Sequence, residues 1–277
     1  MNRLEGRYIS LLTDFGFIRI FGTKPNKDLL INFLNSLFDG FQVIKDVKYL
    51  NSEHVGDVFA ERKPIFDVYC ENEKGEKFIV EMQNASIFPI REQAPKGADW
   101  NFKLDHVYTV ALLNFDLEDE AFDKDDINHD VGLLDKKTHK VFNDKLSFKY
   151  VKIAKFDKTE DELVTLYDKW LYVLKNLSRL DERPAALKEK VFTKLFEEAE
   201  IAKFTPTELK EYEDSLKAYR DIKNSIDTAL EKGREEGRAE SKNLKVIQIA
   251  KKMLAAGMDI DTIINMTDLS KSEIEKL

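Results

Sequence analysis

Asp67 and Glu81 flank a short stretch, Val68 to Val80, whose two halves read as strands joined at Glu73-Lys74-Gly75. β-Branched, aromatic and aliphatic residues fill both arms. Gly75 stands where a three-residue hairpin loop takes a residue at positive φ. Pairing Asn72 with Glu76 sets Cys70 opposite Phe78, Val68 opposite Val80 and Phe66 opposite Met82, which makes one face wholly apolar. The other face then pairs Glu71 with Lys77, Tyr69 with Ile79, Asp67 with Glu81 and Ile65 with Gln83. A slip of one residue mixes the two faces. Directly opposed side chains have Cβ atoms about 5 Å apart, so like charges there repel unless something neutralises them. A divalent cation does so, and Mg²⁺ is commonly held by one or two carboxylates plus waters. On the residues alone the alternatives are a solvated face with two mutually repelling acids, or a different register.

The rest of the chain must position that pair. Its 277 residues suffice for one substantial core and a smaller appendage. Hydrophobic residues make up 43% and charged residues 35%, a balance that points to long exposed helices. No apolar run is long enough to span a membrane, and no basic-then-apolar leader opens the chain. Cys70 is the single cysteine, which excludes an internal disulfide and a cysteine-built zinc site. It falls on the apolar hairpin face and reads as a buried structural thiol. These features suit the cytoplasm. A net charge of −8 argues against non-specific coating of nucleic acid but leaves room for a local basic groove.

Along the chain, Asp14 reads as the N-cap of a helix through Phe21, broken by Gly22 and Pro25. Leu29, Leu30, Phe33, Leu34, Leu37 and Phe38 have the spacing of a helix packed on a core. Residues 43–50 read as a short strand or turn, 107–115 as a buried central strand, and 128–134 and 146–153 as two more strands. From about Phe156 the period becomes helical, over Asp161 to Asn176, Ala185 to Lys203 and Thr207 to Leu230. Glu231 to Glu240 carries Gly233 and Gly237 among charges and favours a frayed, solvated link. The tail, Ile247 to Leu277, resembles a helix-turn-helix unit. Asp268, Glu273 and Glu275 on its last segment leave a packing or dimerisation bundle open beside a DNA reader. His54, His106, His129 and His139 lack ligand spacing, and no phosphate loop or dinucleotide fingerprint is present. Asp123-Lys-Asp-Asp126 reads as a solvated acidic loop.

Several runs together resemble the Rpn family of recombination-promoting nucleases, putative transposases of the PD-(D/E)XK superfamily. They are Leu12 to Gly22, Asn26 to Asn35, Phe66-Asp-Val-Tyr-Cys70, Ile79-Val-Glu-Met-Gln83, Tyr108 to Phe115, Lys155-Phe156, Trp170 to Asn176 and the Lys-Gly-Arg-Glu-Glu-Gly tail. The resemblance implies an α/β, restriction-endonuclease-like core with a mixed central sheet flanked by helices, followed by a helical C-terminal region. The expected division is a nuclease-like core over 1–156, a helical region packed on it over 157–230, and a charged linker helix with the helix-turn-helix-like tail over 231–277. It also implies cleavage of DNA with Mg²⁺, or Mn²⁺, held by Asp67, Glu81 and the Met82 carbonyl. Gln83 takes the position that is lysine in much of the superfamily. Glutamine can orient a water by hydrogen bonding but supplies no cation. Asp14 and Arg91 are candidate accessory residues.

The chain departs from the family pattern after Gln83. A helix that normally follows, with a pattern like Phe-x-x-Arg-x-x-Tyr-Tyr, is shortened by about its own length, and Arg91 and Lys96 fall in what remains. The runner-up reading is therefore a degenerate nuclease fold that binds DNA or protein without cutting. The resemblance implies DNA as partner, with no membrane and no small-molecule cofactor, and the C-terminal helices are a candidate seam for a homo-oligomer.

Overall fold

The hairpin forms in the expected register. A computed structural model of the chain describes residues 6–38, 43–50, 68–82, 105–115 and 125–277. Strands β1 (Val47–Tyr49), β2 (Val68–Asn72), β3 (Lys77–Met82), β4 (Val107–Leu113), β5 (Asn128–Leu134) and β6 (Val141–Lys152) make a six-stranded sheet in the order β1-β2-β3-β4-β6-β5. The three central strands, β3, β4 and β6, are mutually parallel, and the flanking pairs are antiparallel. This is the mixed sheet of a restriction-endonuclease-like fold. The central strand β4 is buried along its whole length, as its continuous apolar sequence requires.

Helices α1 (Asp14–Phe21), α2 (Lys27–Phe38), α3 (Leu166–Asn176) and α4 (Lys190–Glu198) share one core with a single face of the sheet. From the strands that core takes Val68, Cys70, Phe78, Val80, Tyr108, Val110, Leu112 and Val151. The apolar stripe of α2 is buried as its period dictates, and the Phe38 ring meets Phe78 at 5.8 Å and Tyr108 at 5.1 Å. Trp170 of α3 is fully buried among Phe21, Phe33 and Phe192, with its indole N–H donating to Asn32 Oδ1 at 2.8 Å. A buried indole needs such an acceptor.

Local structure departs from the sequence expectation in five places. Helix α3 begins at Leu166 rather than near Asp161, because Thr165 caps it, its Oγ1 accepting the Asp168 N–H at 3.0 Å. Thr13, not Asp14, caps α1: its Oγ1 accepts the Gly16 N–H at 3.1 Å, and Asp14 becomes the first helical residue. Helix α4 is shorter than the periodic stretch 185–203. Leu187 closes a turn onto Pro184, and beyond the helix Glu200 forms a bridge to Tyr8, with Ile9 N donating to the Ala199 carbonyl and Ile201 N to the Arg7 carbonyl. Tertiary pairing with the N-terminal segment overrides helical propensity there. Strand β6 begins at Val141 rather than 146, extended by pairing with β5. Finally, α5 (Pro206–Ala255) runs unbroken through Gly233 and Gly237, where composition favoured a frayed link.

Two compact units divide the chain, Met1–Tyr219 and Arg220–Leu277. In the second, α6 (Ile260–Thr267) and α7 (Lys271–Ile274) follow α5, and Ala250, Ile263 and Ile274 form a small core. Gly257, at φ 77°, makes the turn between α5 and α6.

Two glycines give opposite expectations. A Cβ on Gly16 would lie 2.1 Å from the Ser10 carbonyl oxygen, whereas one on Gly237 meets nothing within 4 Å. Gly16→Ala should lower stability by about 1–3 kcal/mol through overpacking. Gly237→Ala should raise it by up to about 1 kcal/mol by removing backbone entropy in a helix interior. Urea unfolding followed by circular dichroism checks both.

Candidate active site

The β2–β3 register is fixed by one side chain at the turn. Asn72 Oδ1 accepts from the backbone N–H groups of Lys74 at 3.0 Å and Glu76 at 2.9 Å, while its Nδ2 donates to Glu76 Oε2 at 2.7 Å. Asn72 N donates to the Glu76 carbonyl at 3.0 Å, and Gly75 takes φ 82°. The pairs that follow are Glu71 with Lys77, Cys70 with Phe78, Tyr69 with Ile79 and Val68 with Val80. The Lys77 ammonium sits 3.4 Å from Glu71 and 3.6 Å from Asp105, so the first charged pair of this face is compensated.

The face away from the main core has its own apolar floor, formed by Tyr69, Ile79, Val107 and Leu146 with Leu50 and Phe148 packed on them. Alternation along the parallel strands assigns Glu81 to this face. Its backbone pairs with Ala111 of β4, which pairs in turn with Tyr150 of β6. Two residues further on, Leu113 pairs with Lys152. Glu81 and Lys152 thus stand toward the carboxyl ends of parallel strands, outside which open α/β sheets place ligands. Met82 is the last residue of β3, beside Leu112. Asp67, Gln83, Arg91 and Lys96 lie outside the described residues. Asp14 is exposed at the start of α1, a helix that packs with α2 and α3 on the core beneath the opposite face, so the structure does not bring it to Glu81.

Two residues of this face escaped the sequence reading. Lys152 is 1% exposed and ranks among the bulkiest fully buried side chains. Its signal was the alternation Leu146, Phe148, Tyr150, Lys152, which sets a lysine in step with apolar residues. Thr109, between Val107 and Ala111, is 2% exposed, and its Oγ1 has no hydrogen-bond partner among the described residues. No local pattern marks a buried hydroxyl as unpaired.

The donor types suit a hard cation rather than a soft one. Carboxylate and carbonyl oxygens are what Mg²⁺ takes, and the residues at issue offer those: Glu81, the Met82 carbonyl and, by sequence, Asp67. Cys70 is on the opposite face, where burial pushes its thiol up to about 12, so no thiolate forms near neutral pH. His106 is also on that face, stacked on Tyr108 at 4.0 Å and hydrogen-bonded through Nε2 to Ser147 Oγ at 2.9 Å, and burial lowers its pKa. Among the described residues no three His, Cys, Asp or Glu side chains cluster to hold an ion by themselves.

An unpaired buried hydroxyl costs about 1–3 kcal/mol. Thr109→Val keeps the shape and removes that cost, so it should raise the urea midpoint by the equivalent of about 1 kcal/mol. A lowered midpoint would mean that the hydroxyl has a partner in solution.

Family comparison agrees with the architecture. The model of the PD-(D/E)XK nuclease family transposase matches residues 11–229, and that of the Rpn/YhgA-like nuclease family, C-terminal HTH domain, matches residues 243–277. No curated protein and no solved structure gives a match.

Proposed function

The chain belongs to the PD-(D/E)XK nuclease family transposases, of the Rpn type, and from that premise we propose that it is a metal-dependent DNA endonuclease that hydrolyses phosphodiester bonds in recombination or transposition. One observation carries the reading. The β2–β3 register holds over four consecutive pairs up to Val68 with Val80. Asp67 lies outside the described residues; continued by one residue, this register would set it opposite Glu81, on the face that carries Thr109, Ala111 and Lys152.

Nucleases of this superfamily generally use divalent metal ions. Asp67, Glu81 and the Met82 carbonyl would hold the ion, Mg²⁺ or Mn²⁺. Such an ion acts as a Lewis acid and lowers the pKa of water. The protein's own part is to fix the two carboxylates on neighbouring strands, so that little reorganisation is needed when substrate arrives. Gln83, two residues beyond Glu81 in the sequence, would orient the attacking water through its amide. The apolar floor of Tyr69, Ile79 and Phe148 keeps bulk water from beneath the acids and strengthens their interaction with a cation.

DNA binding draws support from the C-terminal helix-turn-helix match. The proposed setting is the cytoplasm, with the C-terminal helices as a possible homo-oligomer seam. Among the described residues no helix is long and apolar enough to cross a membrane. A non-cleaving DNA or protein binder is favoured by one sequence observation, the shortened segment after Gln83.

Supercoiled plasmid incubated with the protein and Mg²⁺ or Mn²⁺ should be nicked. Asp67→Ala and Glu81→Gln should each slow nicking by about 100-fold or more, the scale of losing one preorganised electrostatic group. Equal nicking by wild type and variants, or none by any, would remove the enzymatic reading. Salt-sensitive gel retardation without nicking would leave the binding one.

A further inference from the structure

Lys152 is the feature of the candidate face that the function above does not use. Burying an ammonium is costly unless a carboxylate or several acceptors compensate it. Lys152 is nevertheless 1% exposed, at the end of β6, with Val151 and Ile153 on either side fully buried in the main core. Alternation turns it to the other face, that of Phe148, Tyr150 and, across β4, Glu81.

The spacing suits an interaction. Glu81 and Lys152 are two strands and two residues apart. At about 4.8 Å per strand and 3.3 Å per residue, their Cα atoms lie roughly 12 Å from each other. A glutamate and a lysine extended toward one another cover most of that distance. The residue between them in the Glu81 row is Ala111, a small side chain that is itself 1% exposed, so this row is buried as Lys152 is. The Thr109 hydroxyl, without a hydrogen-bond partner among the described residues, lies on the same stretch of β4 and makes this buried part of the face polar.

We propose that Lys152 is the cationic group of the active site: it compensates the Glu81 carboxylate in the free protein and takes up part of the phosphodiester's negative charge when DNA is bound. Gln83 cannot do this, because an amide carries no charge. The proposal rests on the endonuclease reading for its second half only. Its first half concerns the protein alone.

The test keeps those halves apart. Thermal midpoints in metal-free buffer are measured for wild type, Lys152→Met, Glu81→Gln and the double variant. Each single substitution should lower the midpoint, and the double variant should lose clearly less than the sum, because the remaining charge is no longer uncompensated. Additive losses would overturn the pairing. Should Lys152→Met not fold, the exchange Lys152→Glu with Glu81→Lys decides: a folded protein supports the pairing and an unfolded one overturns it. In the plasmid assay, folded Lys152→Met should nick about 100-fold more slowly than wild type. A wild-type rate would overturn the role toward phosphate. If wild type does not nick, the endonuclease reading fails, while the midpoints still decide whether Lys152 faces Glu81.

Discussion

The arrangement depends on the two-residue period of β3, β4 and β6 being held in phase. These strands are parallel neighbours, so Phe78, Tyr108 and Ser147 share one row and Ile79, Thr109 and Phe148 the next. One set of residues closes the core under α1 to α4, and the other builds the face that carries Glu81 and Lys152. A shift of one residue in β3 or β4 would send Phe78 or Val110 to the wrong side and turn Lys77 or Thr109 toward the aromatic core around Phe38. The phase is secured at both ends of the sheet. Asn72 closes the β2–β3 turn through its own side chain, and β6 is clamped between β4 and β5 from Ser147 to Val151. Positions that carry chemistry are therefore set by packing several residues away from them.

This explains why the hairpin could be read from sequence and the cation could not. The β2–β3 pairing is local, and Gly75 together with the apolar alternation leaves one register that keeps Val68, Cys70, Phe78 and Val80 together. Helix Lys27–Phe38 was equally legible, because it satisfies its own period. Lys152 becomes visible only when β6 is placed parallel to β4, a pairing between residues far apart in the chain. The same holds for the shortening of α4, which ends where Ala199 and Glu200 turn to bond the N-terminal segment. Non-local pairing decided both of these, and no single-segment pattern encodes it. Asp67 and Gln83, the two residues on which the sequence reading leaned hardest beside Glu81, lie outside the described residues.

The acids of the C-terminal unit illustrate a different point. Counted from sequence, Asp268, Glu273 and Glu275 weighed against a DNA reader. In the structure Glu273 completes a capping box with Ser270, accepting from its N–H at 2.8 Å and its hydroxyl at 2.6 Å. Asp268 takes the left-handed position that ends α6, at φ 58°. Glu275 lies 4.0 Å from Lys271. Their side-chain types are thus accounted for by helix ends and a short-range ion pair. Residue charge alone does not decide between a DNA reader and a packing bundle here, because capping acids are set by helix-end geometry.

A charge count gives the physical reason why the face would require a fixed cation on the endonuclease reading. Two carboxylates neutralise one divalent ion, and an incoming phosphodiester then leaves the site with one excess negative charge. The chain carries a net charge of −8, so its overall field opposes rather than assists the substrate's approach. An exposed lysine would be screened by salt within about 10 Å. A lysine buried on an apolar floor is screened far less, and its attraction for an anion is correspondingly larger. Burial also removes the conformational freedom that an exposed lysine must lose on binding. The position at the end of β6, beside Tyr150 and Phe148 and in phase with Glu81, meets both conditions, whereas a glutamine, as at position 83, carries no charge to offer.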